Sequence, residues 1–196
     1  STEVLGFETE SSKILTVHTT KGSFKPGQIV LAGGAWSPEL AKNLGIRLPI
    51  QPAKGYSLTY KKSEDSPLIP LMLSEAAVAV SPLAETIRFS GTLELAGWNQ
   101  SVNQRRVNAI MKKIREYIPG AEDLELVEIW RGFRPCLPDS LPIIGRTDRC
   151  KNLILATGHA TIGMVLGPVT GKLVSQLAAY ETPEINLTGL RLERFS

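Results

Sequence analysis

Apolar and polar residues alternate twice near the start of the chain, over Val4 to Thr9 and Lys13 to Thr19, with a polar break at Glu10 to Ser12. Period-two alternation puts successive side chains on opposite faces, so this pair reads as a β-hairpin. Lys21-Gly22 turns the chain again. Gln28 to Ala32 is mostly a continuous apolar run, the mark of a strand buried on both faces, and it runs into Gly33-Gly34. Ser37-Pro38 then opens a short helix. Ser37 is expected as its N-cap, Pro38 as its first helical residue and Gly45 as the residue that closes it.

The middle of the chain has a different texture. Gly55 to Tyr60 reads as a strand, and Lys61 to Pro67 as a charged loop. Ala76 to Val80, Glu85 to Ser90 and Thr92 to Leu95 read as a meander of strands. Asn103 is placed to cap a helix reaching about Tyr117, because Val107, Ile110, Met111, Ile114 and Tyr117 follow helical spacing and Pro119-Gly120 ends it. Leu124 to Phe133 is β-like. Pro135, Pro138-Asp139-Ser140 and Pro142 mark turns. Leu153 to Ala156 is a second short buried strand, followed by a helix from about Met164 to Tyr180. Two buried strand-to-helix units thus flank an antiparallel middle with one helix. That order predicts an α+β chain in which a middle domain interrupts an α/β domain.

Composition narrows the functional classes. The 196 residues suffice for one large or two small domains, and 42% hydrophobic with 21% charged residues is ordinary for a globular protein. A net charge of +3 without a basic run gives no nucleic-acid footprint. Cys136 and Cys150 are expected to be reduced core residues rather than a disulfide. No apolar run approaches the roughly 18 residues a membrane span needs. The polar opening Ser1-Thr2-Glu3 is unlike a signal peptide, and the absent initiator methionine reads as an excised or processed chain.

Two stretches carry candidate chemistry. Leu153 to Ala156 leads into Thr157-Gly158-His159-Ala160-Thr161-Ile162-Gly163 and a helix. Ligands of open α/β sheets sit beyond the carboxyl ends of the strands, where a helix start offers free N–H groups and partial positive charge. Gly163, Gly167 and Gly171 fall on one helical face, which admits a flat ligand or, equally, a packed backbone. Pro168 requires that regular helix start just before it or kink there. In Trp130-Arg131-Gly132-Phe133-Arg134-Pro135, strand alternation puts Trp130, Gly132 and Arg134 on one face, leaving a notch beside a guanidinium suited to a carboxylate. The same spacing also fits a surface arginine stacked on an aromatic ring. No complete Gly-x-Gly-x-x-Gly, no Cys/His metal spacing and no serine–histidine–acid arrangement occurs.

The stretches IVLAGGAWSPELAKNLGIRLPIQPAKGYSLTY, IRFSGTLELAGW, WRGFRPCLPDSLPIIGRT and NLILATGHATIGM, taken in order and spacing, resemble the D-amino-acid oxidase superfamily of FAD enzymes. Within it they look most like bacterial D-amino-acid dehydrogenases, with glycine oxidase next. The resemblance implies residues 1–46 and 145–196 as parts of an FAD-binding α/β domain and 47–144 as a substrate-binding domain. It implies Arg134 as the residue holding the substrate carboxylate, and Tyr56 as a further substrate contact. Gly158, His159, Ala160, Thr161, Ile162, Gly163 and Met164 match the loop and helix start that embrace the flavin, Val4 matches a backbone contact on the adenine side, and Ala32, Gly33 and Gly34 match a strand end beside the cofactor.

The implied activity is oxidative deamination of D-amino acids by FAD in the full-length protein, with this piece alone inactive and flavin-free. The implied partners are a small amino-acid substrate and an electron acceptor, without nucleic acid, and the implied location is cytoplasmic or peripheral to the inner face of the membrane. Glycine, a secondary amine or a 2-hydroxy acid are alternative substrates, and a non-catalytic ligand- or partner-binding fragment is an alternative role. Three departures stand out. Ala77-Val78-Ala79 occupies the region where glycine oxidases carry a substrate tyrosine, Ser140 stands where glycine is usual, and the family's first Gly-x-Gly-x-x-Gly unit does not occur in this chain.

Overall fold

The alternating start forms the expected hairpin. In a computed structural model, which describes residues 1–195, β1 (Val4–Glu10) pairs antiparallel with β2 (Lys13–Thr19). Ser11 and Ser12 make the turn with φ of 48° and 62°. A short β3 (Gly22–Phe24), too brief to leave a periodic signal, completes a three-stranded sheet in the order β1-β2-β3. The chain divides into two compact units, one of Ser1–Gln51 with the chain from Arg134 onward, the other of Pro52–Phe133. The sequence had suggested breaks at 46/47 and 144/145.

The first unit holds a second sheet. Both apolar runs belong to it as β4 (Ile29–Leu31) and β11 (Cys150–Thr157), which pair in parallel through Leu153–Ile29, Ile154–Val30 and Leu155–Leu31. β10 (Ile143–Thr147) lies antiparallel on the other side of β11. Leu31, Leu153 and Leu155 pack with Ile14, Ala41, Leu48 and Ile143 in one core. Asn152 is buried there because its amide substitutes for a backbone partner. Its Oδ1 accepts from Ile14 N (2.9 Å) and its Nδ2 donates to Ile14 O (2.9 Å), tying β11 to β2.

One helix start differs from expectation. The first helix, α1, runs Ser37–Lys42 with Trp36 as its N-cap residue, so Ser37 is its first residue rather than its cap and Pro38 follows it. Ser37 is instead fully buried, and its hydroxyl hydrogen-bonds Thr157 Oγ1 (2.9 Å) at the end of β11. A tertiary partner has displaced the local capping bond. Gly45 does take the left-handed conformation, φ 67°, as the chain leaves α1.

In the second unit, β5 (Gln51–Lys61), which begins one residue before it, pairs with β8 (Thr86–Glu94) in a sheet ordered β6-β7-β8-β5-β9. Here β6 is Leu71–Leu73, β7 is Val78–Pro82 and β9 is Leu126–Cys136. The two strands expected over 85–95 are one. The pairing shifts between Lys54–Glu94 and Tyr56–Gly91, and Thr92 in the bulge has φ 64°. Helix α2 (Gln104–Tyr117) lays Val107, Ile110 and Ile114 on Tyr56, Leu58, Val78, Val80, Ile87 and Phe89. Tyr117 is exposed, and Ile118 beyond the helix fills the core instead. β9 runs through Pro135, where a turn was expected. As an edge strand it tolerates a residue without an N–H. The last helix, α3, spans Gly163–Ala178, close to the expected 164–180, with Pro168 inside it. Among the described residues no helix is long and apolar enough to cross a membrane, which says nothing of strand-built spans.

Candidate functional site

The carboxyl ends of the parallel strands β4 and β11 bring two of the sequence-selected stretches together in the first unit. Beyond β4, Ala32 is exposed, Gly33 accepts a turn bond from Trp36 N (3.0 Å) and Gly34 has φ 55°. Thr157 Oγ1 bonds both Ser37 Oγ (2.9 Å) and Gly34 O (3.1 Å), so a hydroxyl clasp joins the two strand ends. Gly158 follows with φ 82°, and a Cβ there would collide with Leu137 Cδ1. Both the left-handed backbone and the packing therefore require glycine. The clasp had no signal in the sequence, because serine and threonine are common at strand ends.

The loop then closes on β9. Ala160, at φ 47°, donates its N–H to Pro135 O (3.1 Å). Arg134 immediately precedes that carbonyl. It is half-buried and has no hydrogen-bond or ion-pair partner among the described residues. A half-buried guanidinium without a partner among the described residues has its donors free for a carboxylate. The notch expected beside it is filled, since the Trp130 indole lies where a Gly132 side chain would be. No arginine–aromatic stack involving Arg134 occurs among the described residues; those present pair Arg146 with Tyr180 and Arg194 with Phe195.

At the start of α3 no side chain caps the helix. Ile162 N bonds His159 O (3.1 Å), leaving the N–H groups of Gly163, Met164 and Val165 without acceptors among the described residues. Thr161 and Ile162 are exposed, as are Met164 (93%) and Val165 (79%). Side chains added at Gly167 or Gly171 would meet open space, so these glycines do not serve packing among the described residues. His159 turns inward instead of lining the opening. Its Nε2 pairs with Thr170 Oγ1 (3.0 Å), bracing the loop on α3, and burial pushes its imidazole below the usual range. Val4 is apart from this cluster, at the start of β1 in the other sheet.

Tyr56 does not have the exposure expected of a substrate contact. In the second unit it is 1% exposed, its hydroxyl donates to Glu94 Oε2 (2.7 Å) and accepts from Asn103 N (3.0 Å) at the head of α2. Both roles of the phenol are taken. The Tyr56 hydroxyl is also the main reason the Glu94 carboxyl lies below the usual range, with Asn103 and Lys54 adding to it against the opposing effect of burial. Lys54, also 1% exposed, donates Nζ to Asn99 O (2.9 Å) and Ser101 O (2.8 Å), and lies 3.5 Å from Glu94 Oε2. Sequence reading overlooked this network because a lysine inside an alternating strand gives no sign of being buried.

Residues 1–177 match the family of FAD dependent oxidoreductases named DAO. The chain belongs to that family. It is 34% identical over 197 residues to a D-amino acid dehydrogenase of Granulibacter bethesdensis, covering all of this chain and 47% of the relative. It is 35% identical over 196 residues to a D-amino acid dehydrogenase of Vibrio atlanticus, covering 99% and 47%. The crystal structure of glycine oxidase from Geobacillus kaustophilus superposes with a TM-score of 0.89 at 26% identity, over 97% of this chain and 51% of that one. The chain spans about half the length of the curated relatives it matches. For a DAO-family chain, the uncapped α3 start, the exposed apolar Ile162, Met164 and Val165 and the unfilled face of Gly167 and Gly171 fit a flat anionic cofactor.

Proposed function

We propose that this chain supplies the substrate-binding sheet and one side of the flavin site of an FAD-dependent D-amino-acid dehydrogenase, which converts a D-amino acid to a 2-oxo acid and ammonia. The observation that carries the reading is Arg134, half-buried and without a partner among the described residues, whose neighbour Pro135 anchors Ala160 in the loop before α3. Bound FAD would supply the two-electron acceptor for the hydride leaving the substrate's α-carbon. The chain's own residues position and shield. Arg134 fixes the carboxylate through two parallel charge-assisted bonds and so orients the α-carbon. The free N–H groups of Gly163, Met164 and Val165 favour negative charge near them. Ile162, Met164 and Val165 offer an apolar wall that excludes water, while Gly158 and Ala160 hold the loop's sharp course. Val4, Ala32, Gly33 and Gly34 belong to the cofactor side in this reading, and His159 acts by bracing the loop, not by moving a proton.

The test is substrate profiling of the full-length enzyme with Arg134→Leu. A lost buried clamp is worth about 1.5–3 kcal/mol or more, so kcat/KM for D-amino acids falls by about a hundredfold. Arg131→Leu, on the opposite strand face, falls far less. Equal losses in the two variants, or turnover of glycine or 2-hydroxy acids in preference to D-amino acids, overturn the reading.

A further inference from the structure

Helix α2 carries a groove in the second unit. It has a volume of about 590 Å³ and runs beside the turn between β6 and β7 and the bulge at Thr92. Its floor is short and apolar, with Ala76, Ala77, Ala109 and Ile110, and its rim is cationic, with Arg105, Arg106 and Lys113. Arg105, Ala109 and Lys113 recur every fourth residue, so they form one stripe of the helix about 12 Å long. Arg106 Nη1 donates to Thr92 Oγ1 (2.9 Å) and Leu93 O (3.4 Å), which holds its guanidinium at the rim. Arg105 is exposed and has no partner among the described residues. The nearby acids leave a positive excess. Glu116 accepts from Lys113 (2.6 Å), and Glu94, 3.8 Å from Arg106 Nε, is balanced by Lys54 at 3.5 Å. Glu75 adds one negative charge in the turn.

Helix formation does not account for the two arginines. The start of a helix carries partial positive charge and favours acids, yet the first turn of α2 has no acid and holds both Arg105 and Arg106. Asn103 does not cap it, since its Nδ2 donates to Glu94 Oε1 (3.3 Å) instead. The N–H groups of Gln104 and Arg105 have no acceptor among the described residues. These like charges oppose one another until an anion joins them. We propose that the groove binds an organic phosphate, with the phosphoryl group between Arg105 and Arg106 and a flat apolar body over Ala109 against Ala76 and Ala77. A phosphate fits better than a carboxylate. A phosphate monoester carries nearly two negative charges, and its oxygens point in several directions, as two separate guanidiniums require. A planar carboxylate is served by one arginine. Alanine at 109 leaves the space for the body. The site is independent of the role given to Arg134 and needs no flavin.

The experiment titrates the isotopically labelled chain with phenyl phosphate, inorganic phosphate and benzoate, following backbone amide shifts by NMR. Phenyl phosphate is expected to saturate, with shifts centred on residues 76–78 and 103–113, and to bind more weakly as salt rises. Inorganic phosphate lacks the apolar body and benzoate the second charge, so each binds about tenfold more weakly. Arg105→Gln weakens phenyl phosphate by about tenfold. Ala109→Leu fills the floor, so phenyl phosphate falls to the level of inorganic phosphate. Both residues are exposed on α2, and leucine and glutamine suit a helix, so the two variants keep the fold. Arg115→Gln, on α2 but outside the groove, and Arg134→Gln leave binding unchanged. The proposal is overturned if phenyl phosphate does not saturate, if its shifts gather at the start of α3, if benzoate matches it, or if either Arg105→Gln or Ala109→Leu binds it as the parent does.

Discussion

Two single residues carry testable energetic consequences. Ser140 occupies a left-handed turn position with φ 61°, where an L-residue is strained. Relief of that strain outweighs the added chain entropy of glycine, so Ser140→Gly raises the stability of the chain by about 0.5–1 kcal/mol, read as a higher urea midpoint. Tyr56 is the opposite case, a hydroxyl whose every capacity is used. Tyr56→Phe leaves Glu94 and the Asn103 N–H short of a partner and costs about 1–3 kcal/mol. It also changes the pH dependence. The Glu94 carboxyl is depressed in the folded state, chiefly by this phenol. Its contribution is therefore present above the unfolded value of about 4.3 and lost as the pH falls through the lower folded value. Urea midpoints measured from pH 6 downward should fall less steeply in Tyr56→Phe than in the parent, and equal slopes would remove Tyr56 as the cause.

At the scale of elements, periodicity announced what repeats and missed what is unique. The hairpin, both apolar strands and α2 are visible in the sequence because each rests on local alternation, spacing or a glycine with a reason. The Ser37–Thr157 clasp, the Ala160–Pro135 bond and the Lys54–Glu94–Tyr56 network are not, because each joins residues distant in sequence through side chains that are ordinary one by one. Tyr56 belongs with them: its motif suggests a ligand contact, and its burial appears only when β5 is packed. The start of α3 gives a test of the site itself. A Cβ at Gly163 would lie 3.2 Å from His159 Cβ, a close contact that the loop must yield to by a few tenths of an ångström. Leucine gains about 1 kcal/mol of helix propensity against that crowding. Gly163→Leu should thus leave the melting temperature of this chain nearly unchanged while abolishing flavin binding in the full-length enzyme. A large drop in the melting temperature would make the glycine a packing residue instead.

For the whole molecule, the expectation follows from what the chain contains. Its residues offer one wall for a cofactor and no glycine-rich loop to cradle the pyrophosphate, which supplies much of the grip on a dinucleotide. The purified 196-residue chain should be colourless. Stoichiometric flavin absorbance would show that this wall alone suffices. The first unit is also discontinuous in sequence, and this bears on how the protein emerges from the ribosome. β4 ends at Leu31, yet its strand partner among the described residues, β11, begins at Cys150. At roughly 5–20 residues per second, several seconds of translation separate the two. The uninterrupted stretch 52–133 is available to condense in that interval, while the apolar Ile29-Val30-Leu31 waits for its bonds to β11. A nascent chain stalled before residue 150 would expose that segment to chaperones, and synthesis of the last strand would release it.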